Sequence, residues 1–190
     1  MTDIMTDTEV RAALLKRGFN LELGYNYHIG EGVATFMLFG VRGFIENDNK
    51  LLGYQAYRHD VLEKRRNTTD SRYYTHHRRC NIIDDTVVFG LELLEKNAKT
   101  LFITEGIFEA ATLHRLGYNA IAILTSAPNK RMRKYIPMLA DKSVWCGDSD
   151  AAGNGSWLSR ACDYRLCFPD RDLDEIPYDE IHEAINDLLG

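Results

Sequence analysis

Six carboxylates follow three short apolar runs in the second half of the chain. They are Glu105 and Glu109 after LFIT, Asp148 and Asp150 after SVWCG, and Asp172 and Asp174 after YRLCF. Carboxylates at this density repel one another unless a cation neutralises them. Mg²⁺ fits best, because it takes one or two carboxylates per ion and keeps water ligands that substrate phosphates can displace. Mn²⁺ could replace it.

Each acid taken alone also has a structural explanation. Aspartates at the end of a strand are common helix N-caps, and Asp148 or Asp150 could cap a helix that begins near Gly153. Three acidic segments, each after an apolar run, are harder to explain in this way. Together they favour a metal site.

The elements that must position these acids alternate from about Thr100 onwards. Four β-rich runs, LFIT, AIAILT, SVWCG and YRLCF, alternate with segments that have helical patterns. This alternation predicts an α/β fold with a mostly parallel sheet flanked by helices. Ligands of such sheets bind at the carboxyl ends of the strands, so we expect the acids to meet at one edge.

The first half of the chain has a different pattern. Residues 6–18 predict a helix, and the β-rich runs VATFMLFGVRGFI and KLLGYQAYRHD follow it, separated by a predicted hairpin turn. We expect a small α+β or mostly β subdomain at residues 1–97. The acid-bearing domain, with a C-terminal helix, is expected at residues 98–190.

Charge is distributed unevenly, although the net charge is only −5. Residues 57–80 contain seven basic residues against three acidic ones, and residues 163–190 contain nine acids against two arginines. The seven basic residues are Arg58, Lys64, Arg65, Arg66, Arg72, Arg78 and Arg79. A basic middle and an acidic tail predict a local nucleic-acid footprint beside a metal site or a solvated acidic helix.

Cysteine spacing and hydropathy exclude several classes of protein. The four cysteines form no CxxC pair, so we expect neither zinc nor a disulfide framework. No apolar run approaches the roughly 18 residues that span a bilayer, and the acidic N-terminus does not resemble a signal peptide. We therefore expect a cytoplasmic protein with no membrane partner.

Two motifs resemble the Toprim domain shared by primases, topoisomerases and some nucleases. They are TEGIFEA at residues 104–110 and GDSDAAG at residues 147–153. The elements GYQAYR, SRYYT and FGL precede Glu105 in the order found in bacterial and bacteriophage DNA primases, and DLDE resembles their late acidic motif. The resemblance to the catalytic core of these primases extends from about Lys50 to Glu175.

The primase resemblance implies roles for the acids. Glu105, Asp148 and Asp150 would be catalytic, and with Glu109, Asp172 and Asp174 they would hold one or two Mg²⁺ that bind an incoming nucleoside triphosphate. The implied activity is template-dependent synthesis of short RNA primers on single-stranded DNA by phosphoryl transfer.

The resemblance also implies that the N-terminal subdomain binds the template. Arg58 and Arg72 match basic positions of the primases, and the other five basic residues would extend a phosphate-binding track. Tyr73 and neighbouring tyrosines could stack on unpaired bases. Alternating aromatic residues in strands are more often core, however, and Lys64–Arg66 could equally be a solvated loop.

The sequence departs from the usual primase pattern at several points. Glu109 stands where aspartate is usual, and Arg72 stands where many primases have lysine. We expect neither a zinc module nor a helicase-binding part, as in a stripped core from a bacteriophage acting in the cytoplasm of a bacterial host. A replicative helicase is then a candidate partner.

Two alternatives stay open. One is a Toprim-type metal-dependent nuclease, and the other is a non-catalytic replication-associated DNA-binding protein. A topoisomerase is less favoured, because strand passage needs a tyrosine nucleophile on further domains.

Overall fold

Two β-sheets form the framework of the protein. The computed structural model describes residues 6–48, 50–62, 67–77, 86–125, 130–147 and 157–190. Within these ranges, none of the helices combines the length and the apolar character that crossing a membrane requires.

The first sheet is antiparallel and follows a helix. Helix α1, Asp7–Lys16, begins at a capping box in which Thr6 and Glu9 exchange hydrogen bonds, and it ends before Gly18, whose φ is +77°. The strands are β1 (Tyr27–Gly30), β2 (Val33–Gly40), β3 (Leu51–Tyr57) and β4 (Tyr73–His77), in that spatial order, with β5 (Val87–Val88) paired to the end of β2. Every second side chain of β2 is buried, so one face of this sheet packs on the core.

A short helix replaces part of a predicted strand. The run from Val33 was expected to stay extended to Ile45, but residues Val41–Ile45 form helix α2. The amide of Asp48 donates to the carbonyl of Gly43 at 2.7 Å, and a β-carbon at Gly43 would lie 2.4 Å from the Asp48 carbonyl oxygen. This close approach requires glycine and turns the chain back into β3.

The second sheet is parallel and carries the helices of the second half. Its strands are β6 (Ala98–Thr104), β7 (Ala120–Ala122), β8 (Ala140–Cys146) and β9 (Tyr164–Arg165), in the order β7-β6-β8-β9. The helices are α3 (Ile107–Arg115), α4 (Met132–Leu139), α5 (Leu158–Ala161) and α6 (Tyr178–Leu189), with 3-10 turns at Leu91–Leu93 and Leu173–Glu175. The predicted α/β class, with a parallel sheet flanked by helices after a mostly β half, is confirmed.

The two sheets share one interior. Phe89 and Ala122 exchange two backbone hydrogen bonds of 3.0 Å, which join the end of β5 to the end of β7. One core cluster combines Phe19, Phe36 and Phe89 of the first half with Phe108 and Val144 of the second. The two halves pack directly on each other, and the boundary at residues 97 and 98 stays a prediction.

A buried histidine stabilises the junction between the sheets. The Nε2 atom of His114 lies 2.8 Å from the carbonyl oxygen of Ala120, which can only accept, so Nε2 carries the proton. The Tyr25 hydroxyl then donates to Nδ1 at 2.9 Å. Burial lowers the pKa of His114 to about 4, which keeps the ring neutral.

We expect His114 to make stability depend on pH. In the unfolded chain its pKa returns to about 6.5, so the unfolded state binds a proton that the folded state rejects between about pH 4 and 6.5. The free energy of unfolding should therefore fall by about 3 kcal/mol as pH drops through this window. Urea unfolding at half-unit steps of pH measures it.

The control variant is His114→Gln, which removes the titration. The difference in unfolding free energy between the wild type and the variant should shrink as pH falls from 6.5 to 4. A difference that stays constant across this range would contradict a neutral, buried imidazole.

Candidate active site

The end of β6 fixes the first predicted acid. Thr104 is fully buried, and its hydroxyl donates to the carbonyl of Gly106 at 2.9 Å. The amide of Leu124 donates to the Glu105 carbonyl at 2.9 Å. The turn from β6 into α3 is thereby held on both sides, and the half-buried Glu105 lies at the carboxyl edge of the parallel sheet, as predicted.

Glu109 caps the helix that follows. Its Oε2 accepts the amide of Gly106, the N-cap residue of α3, at 2.6 Å. A carboxylate at this position also complements the positive end of the helix dipole. One oxygen of Glu109 is thus already engaged in a hydrogen bond, which the sequence alone did not indicate.

A small open cleft lies at this edge of the sheet. Its walls come from α3, from the end of β8 and from the segment after β9. The lining residues are Glu109, Cys146, Gly147, Leu166, Cys167, Phe168, Arg171 and Leu173. Gly147, which follows β8 and directly precedes Asp148 in the sequence, is therefore part of the cleft wall.

Cys146, one of two cysteines in the cleft wall, is not activated. Burial raises the pKa of the Cys146 thiol well above its usual value, and the nearby Glu109 carboxylate adds to the shift. The thiol therefore stays protonated at neutral pH and is a poor nucleophile. A covalent mechanism based on the Cys146 thiol is therefore disfavoured.

The last acidic pair lies on the 3-10 turn at Leu173–Glu175. Asp172 is its exposed N-cap residue, whereas the Asp174 side chain is only 5% exposed. Asp174 Oδ2 accepts two hydrogen bonds from Arg17, at 3.0 Å from Nε and 2.6 Å from Nη2. Its Oδ1 is buried and has no hydrogen-bond partner among the residues that the structure describes.

Arg17 was not predicted to belong to the site. Its guanidinium also donates to the Tyr73 hydroxyl and lies 3.8 Å from the centre of the Phe108 ring. Burial disfavours the charged form, but the Asp174 carboxylate and the Tyr73 hydroxyl raise the pKa of Arg17 above its usual value. In the sequence, Lys16-Arg17-Gly18 reads only as a helix end, so nothing there indicated this contact.

The predicted template-binding residues are only partly described. Arg72 lies over the rings of Tyr57 and Tyr73, at 5.8 and 6.0 Å from their centres, and Arg58 donates to the Ser71 carbonyl at 3.4 Å. Tyr73 packs against Tyr57 at 5.3 Å and bonds Arg17. These contacts favour the core interpretation of Tyr73 over base stacking.

Seven predicted site residues lie outside the described ranges. They are Asp148, Asp150, Lys64, Arg65, Arg66, Arg78 and Arg79. Across the ranges that are described, no three residues among His, Cys, Asp and Glu lie close enough together to hold a metal ion.

Two substitutions distinguish the capping hydrogen bond of Glu109 from the effect of its negative charge. In metal-free buffer, Glu109→Ala should lower the free energy of unfolding by about 1 kcal/mol because it removes the acceptor for Gly106. Glu109→Gln keeps an acceptor and should cost less than half as much. Urea unfolding measures both, and Glu183→Ala, an exposed change on α6, is the control. Equal losses for Ala and Gln would contradict the capping role.

Solved primase structures have the same fold. The DnaG catalytic core matches with a TM-score of 0.67 and 14% identity, covering 98% of this chain and 74% of that chain. The DnaG primase catalytic domain bound to single-stranded DNA matches with a TM-score of 0.61 and 15% identity, covering 95% and 59% of the two chains. The primase fragment of the bacteriophage T7 primase-helicase protein matches with a TM-score of 0.59 and 13% identity, covering 95% of this chain and 70% of that chain.

The similarity lies in structure rather than in sequence. No protein-family model matches the chain, and no curated protein matches it. The agreement in structure nevertheless extends over nearly the whole chain. The protein has the fold of a DNA primase catalytic core of the DnaG and bacteriophage T7 type.

Proposed function

We propose that this protein is a DNA primase-type nucleotidyltransferase that makes short RNA primers on single-stranded DNA. The observation that carries the proposal is the primase-core fold over 98% of the chain. The cleft at the carboxyl edge of the parallel sheet, with Glu105 and Glu109 at the end of β6, is consistent with this fold and suits a phosphate-bearing substrate.

The chemistry of the predicted acids suits a hard divalent cation. Asp174 offers a buried oxygen, Oδ1, for which the described residues provide no donor. Carboxylate oxygens suit Mg²⁺, and Mn²⁺ could replace it. The residues that would hold one or two ions are Glu105, Asp148 and Asp150, with Glu109, Asp172 and Asp174. When bound, such ions neutralise phosphate charge and stabilise the attacking and leaving oxygens.

The remaining residues of the cleft bind and position the reactants. Arg171 places a positive charge in the wall, where Glu180 holds it through a hydrogen bond of 2.5 Å. A triphosphate would interact favourably with this guanidinium. Cys146 stays protonated and is a poor nucleophile. The nucleophile of the proposed reaction is a hydroxyl of the growing primer or of the first nucleotide.

Residues 1–97 would contact the template, as a basic subdomain. Arg58 and Arg72 lie near the start of β4, and Lys64, Arg65, Arg66, Arg78 and Arg79 occur in the connections on either side of it in sequence. One of the similar structures is bound to single-stranded DNA, and another is part of a primase-helicase protein. A replicative helicase is therefore the partner that we propose.

Primer synthesis tests the activity directly. The assay uses a single-stranded DNA template, labelled ribonucleotides and Mg²⁺ or Mn²⁺. Wild-type protein should make short RNA, and Glu105→Gln, Asp148→Asn or Asp150→Asn should each lower product by more than about 100-fold, since losing even an outer partner of a metal ligand costs about 10- to 100-fold. Asp141→Asn is the matched control, an exposed aspartate at the amino end of β8.

The same preparations discriminate the alternatives. Labelled DNA and RNA incubated without nucleotides should stay intact, and metal-dependent cleavage would instead indicate a nuclease. Absence of product with every nucleotide set, while DNA binding persists, would indicate a non-catalytic binding protein. Parallel reactions with deoxynucleotides identify which sugar is used.

The basic connection at Lys64–Arg66 should contribute to template binding. If all three side chains contact phosphates, changing them together to Gln should reduce the slope of log K against log salt by about 2, at about 0.7 per contact on single strands. Fluorescence anisotropy with labelled oligonucleotide at several salt concentrations measures the slope. Lys96→Gln with Lys99→Gln, exposed residues near the amino end of β6, is the control, and an unchanged slope would indicate a solvated loop.

A further inference from the structure

We propose that Arg17 is a positioning residue that holds Asp174 in the candidate active site. The inference rests on the proposed function, because it assigns Asp174 to the metal-binding acids. It adds a residue from the N-terminal helix, far from the other site residues in sequence, to the group on which metal binding depends.

The ion pair engages only one oxygen of the carboxylate. Nε and Nη2 of Arg17 both donate to Oδ2 of Asp174, at 3.0 and 2.6 Å. Oδ1 is buried and receives no hydrogen bond from the described residues. Two hydrogen bonds to one oxygen restrain the carboxylate, and the second oxygen has no hydrogen bond from the described residues that a cation would have to displace.

Arg17 is itself held by groups other than Asp174. Nη1 donates to the Tyr73 hydroxyl of β4, and the guanidinium plane rests against Phe108 of α3 at 3.8 Å. Phe108 precedes Glu109 in the first turn of α3. The planar fork of arginine can satisfy all three contacts at once, which a lysine ammonium cannot.

The end of α1 fixes the position of the Arg17 backbone. The amide of Arg17 bonds the carbonyls of Ala13 and Leu14, and the next residue, Gly18, packs against α3. A β-carbon on Gly18 would lie 3.0 Å from the hydroxyl oxygen of Thr112. The backbone of Arg17 is thus docked on the helix that carries Glu109.

This arrangement has an electrostatic consequence for the acidic site. An arginine beside Asp174 reduces repulsion between this carboxylate and its acidic neighbours when no metal is bound. Truncating Arg17 would leave Asp174 buried without its partner, and the side chain would then turn towards water. The oxygen available for a cation would be displaced with it.

Mn²⁺ binding without nucleotide tests the inference. Titration followed by electron paramagnetic resonance of free Mn²⁺ should show affinity about 10- to 100-fold lower in Arg17→Gln than in wild type, and an intermediate value in Arg17→Lys. Arg115→Gln is the matched control, since Arg115 lies over the Tyr178 ring at 5.0 Å and has no ion pair with those predicted acids that the structure describes. Thermal unfolding in chelator verifies that each variant is folded.

The double variant separates positioning from general stability. If Arg17 acts through Asp174, Arg17→Gln combined with Asp174→Asn should bind Mn²⁺ no more weakly than Asp174→Asn alone. Losses that add, or a folded Arg17→Gln with wild-type affinity, would overturn the inference. Should Arg17→Gln fail to fold, Tyr73→Phe removes only the support of Nη1 and should weaken Mn²⁺ binding measurably; unchanged affinity there would overturn it.

The outcomes for the inference and for the proposed function are distinct. Wild-type protein that binds Mn²⁺ but makes no primer would refute the proposed activity and leave the role of Arg17 to the variants. Primer synthesis by the wild type, together with wild-type Mn²⁺ affinity in Arg17→Gln, would refute the inference alone. A wild type that binds no Mn²⁺ would refute both the metal site and the role of Arg17.

Discussion

The shared aromatic interior of the two sheets is the constraint on which the candidate site depends. Phe108 contacts Phe36 and Tyr57 of the antiparallel sheet with ring centres at 6.2 and 4.9 Å. The same residue lies between Ile107 and Glu109 in the first turn of α3, beside the end of β6. Packing that joins the two halves therefore also sets the direction of the helix that carries an acid of the site. A shift of either sheet would move Glu109 and the support of Arg17 together.

Much of the fold could be predicted because its signals are local. Alternating burial defines β2, the capping box and Gly18 delimit α1, and the strand–helix alternation predicts the parallel sheet. Helix α2 was not predicted. The amide of Val41 at its start donates to the Thr86 carbonyl, a long-range contact that a local pattern does not indicate. Strand β9 is also shorter than YRLCF suggested, since its register with β8 covers Tyr164 and Arg165 and ends where the amide of Leu166 donates to the Trp145 carbonyl, before the chain enters the cleft wall.

The site was predictable only in part, for a related reason. Acids after strands are visible in sequence because a parallel sheet gathers strand ends at one edge. The partners of those acids are not visible, since Arg17 and Asp174 lie 157 residues apart. The hydrogen bond from Gly106 to Glu109 was likewise concealed, because glutamate in a first helical turn suits both a cap and a metal ligand. Sequence spacing thus identifies the carboxylates but not the hydrogen-bond partner of each carboxylate oxygen.

Asp174 is buried, and the ion pair with Arg17 engages only one of its two carboxylate oxygens. A fully paired carboxylate, with both oxygens bonded to arginine, would have to break those bonds before it could bind an ion. A carboxylate without a partner would be costly to bury and would turn outwards. Holding Oδ2 alone orders the side chain on folding, but it leaves Oδ1 buried without a donor among the described residues, which costs free energy. Under the proposed function, a bound cation would offset this cost. Arg17 is supported by Tyr73 of the first half and Phe108 of the second. The geometry of its ion pair with Asp174 therefore depends on how the two sheets pack.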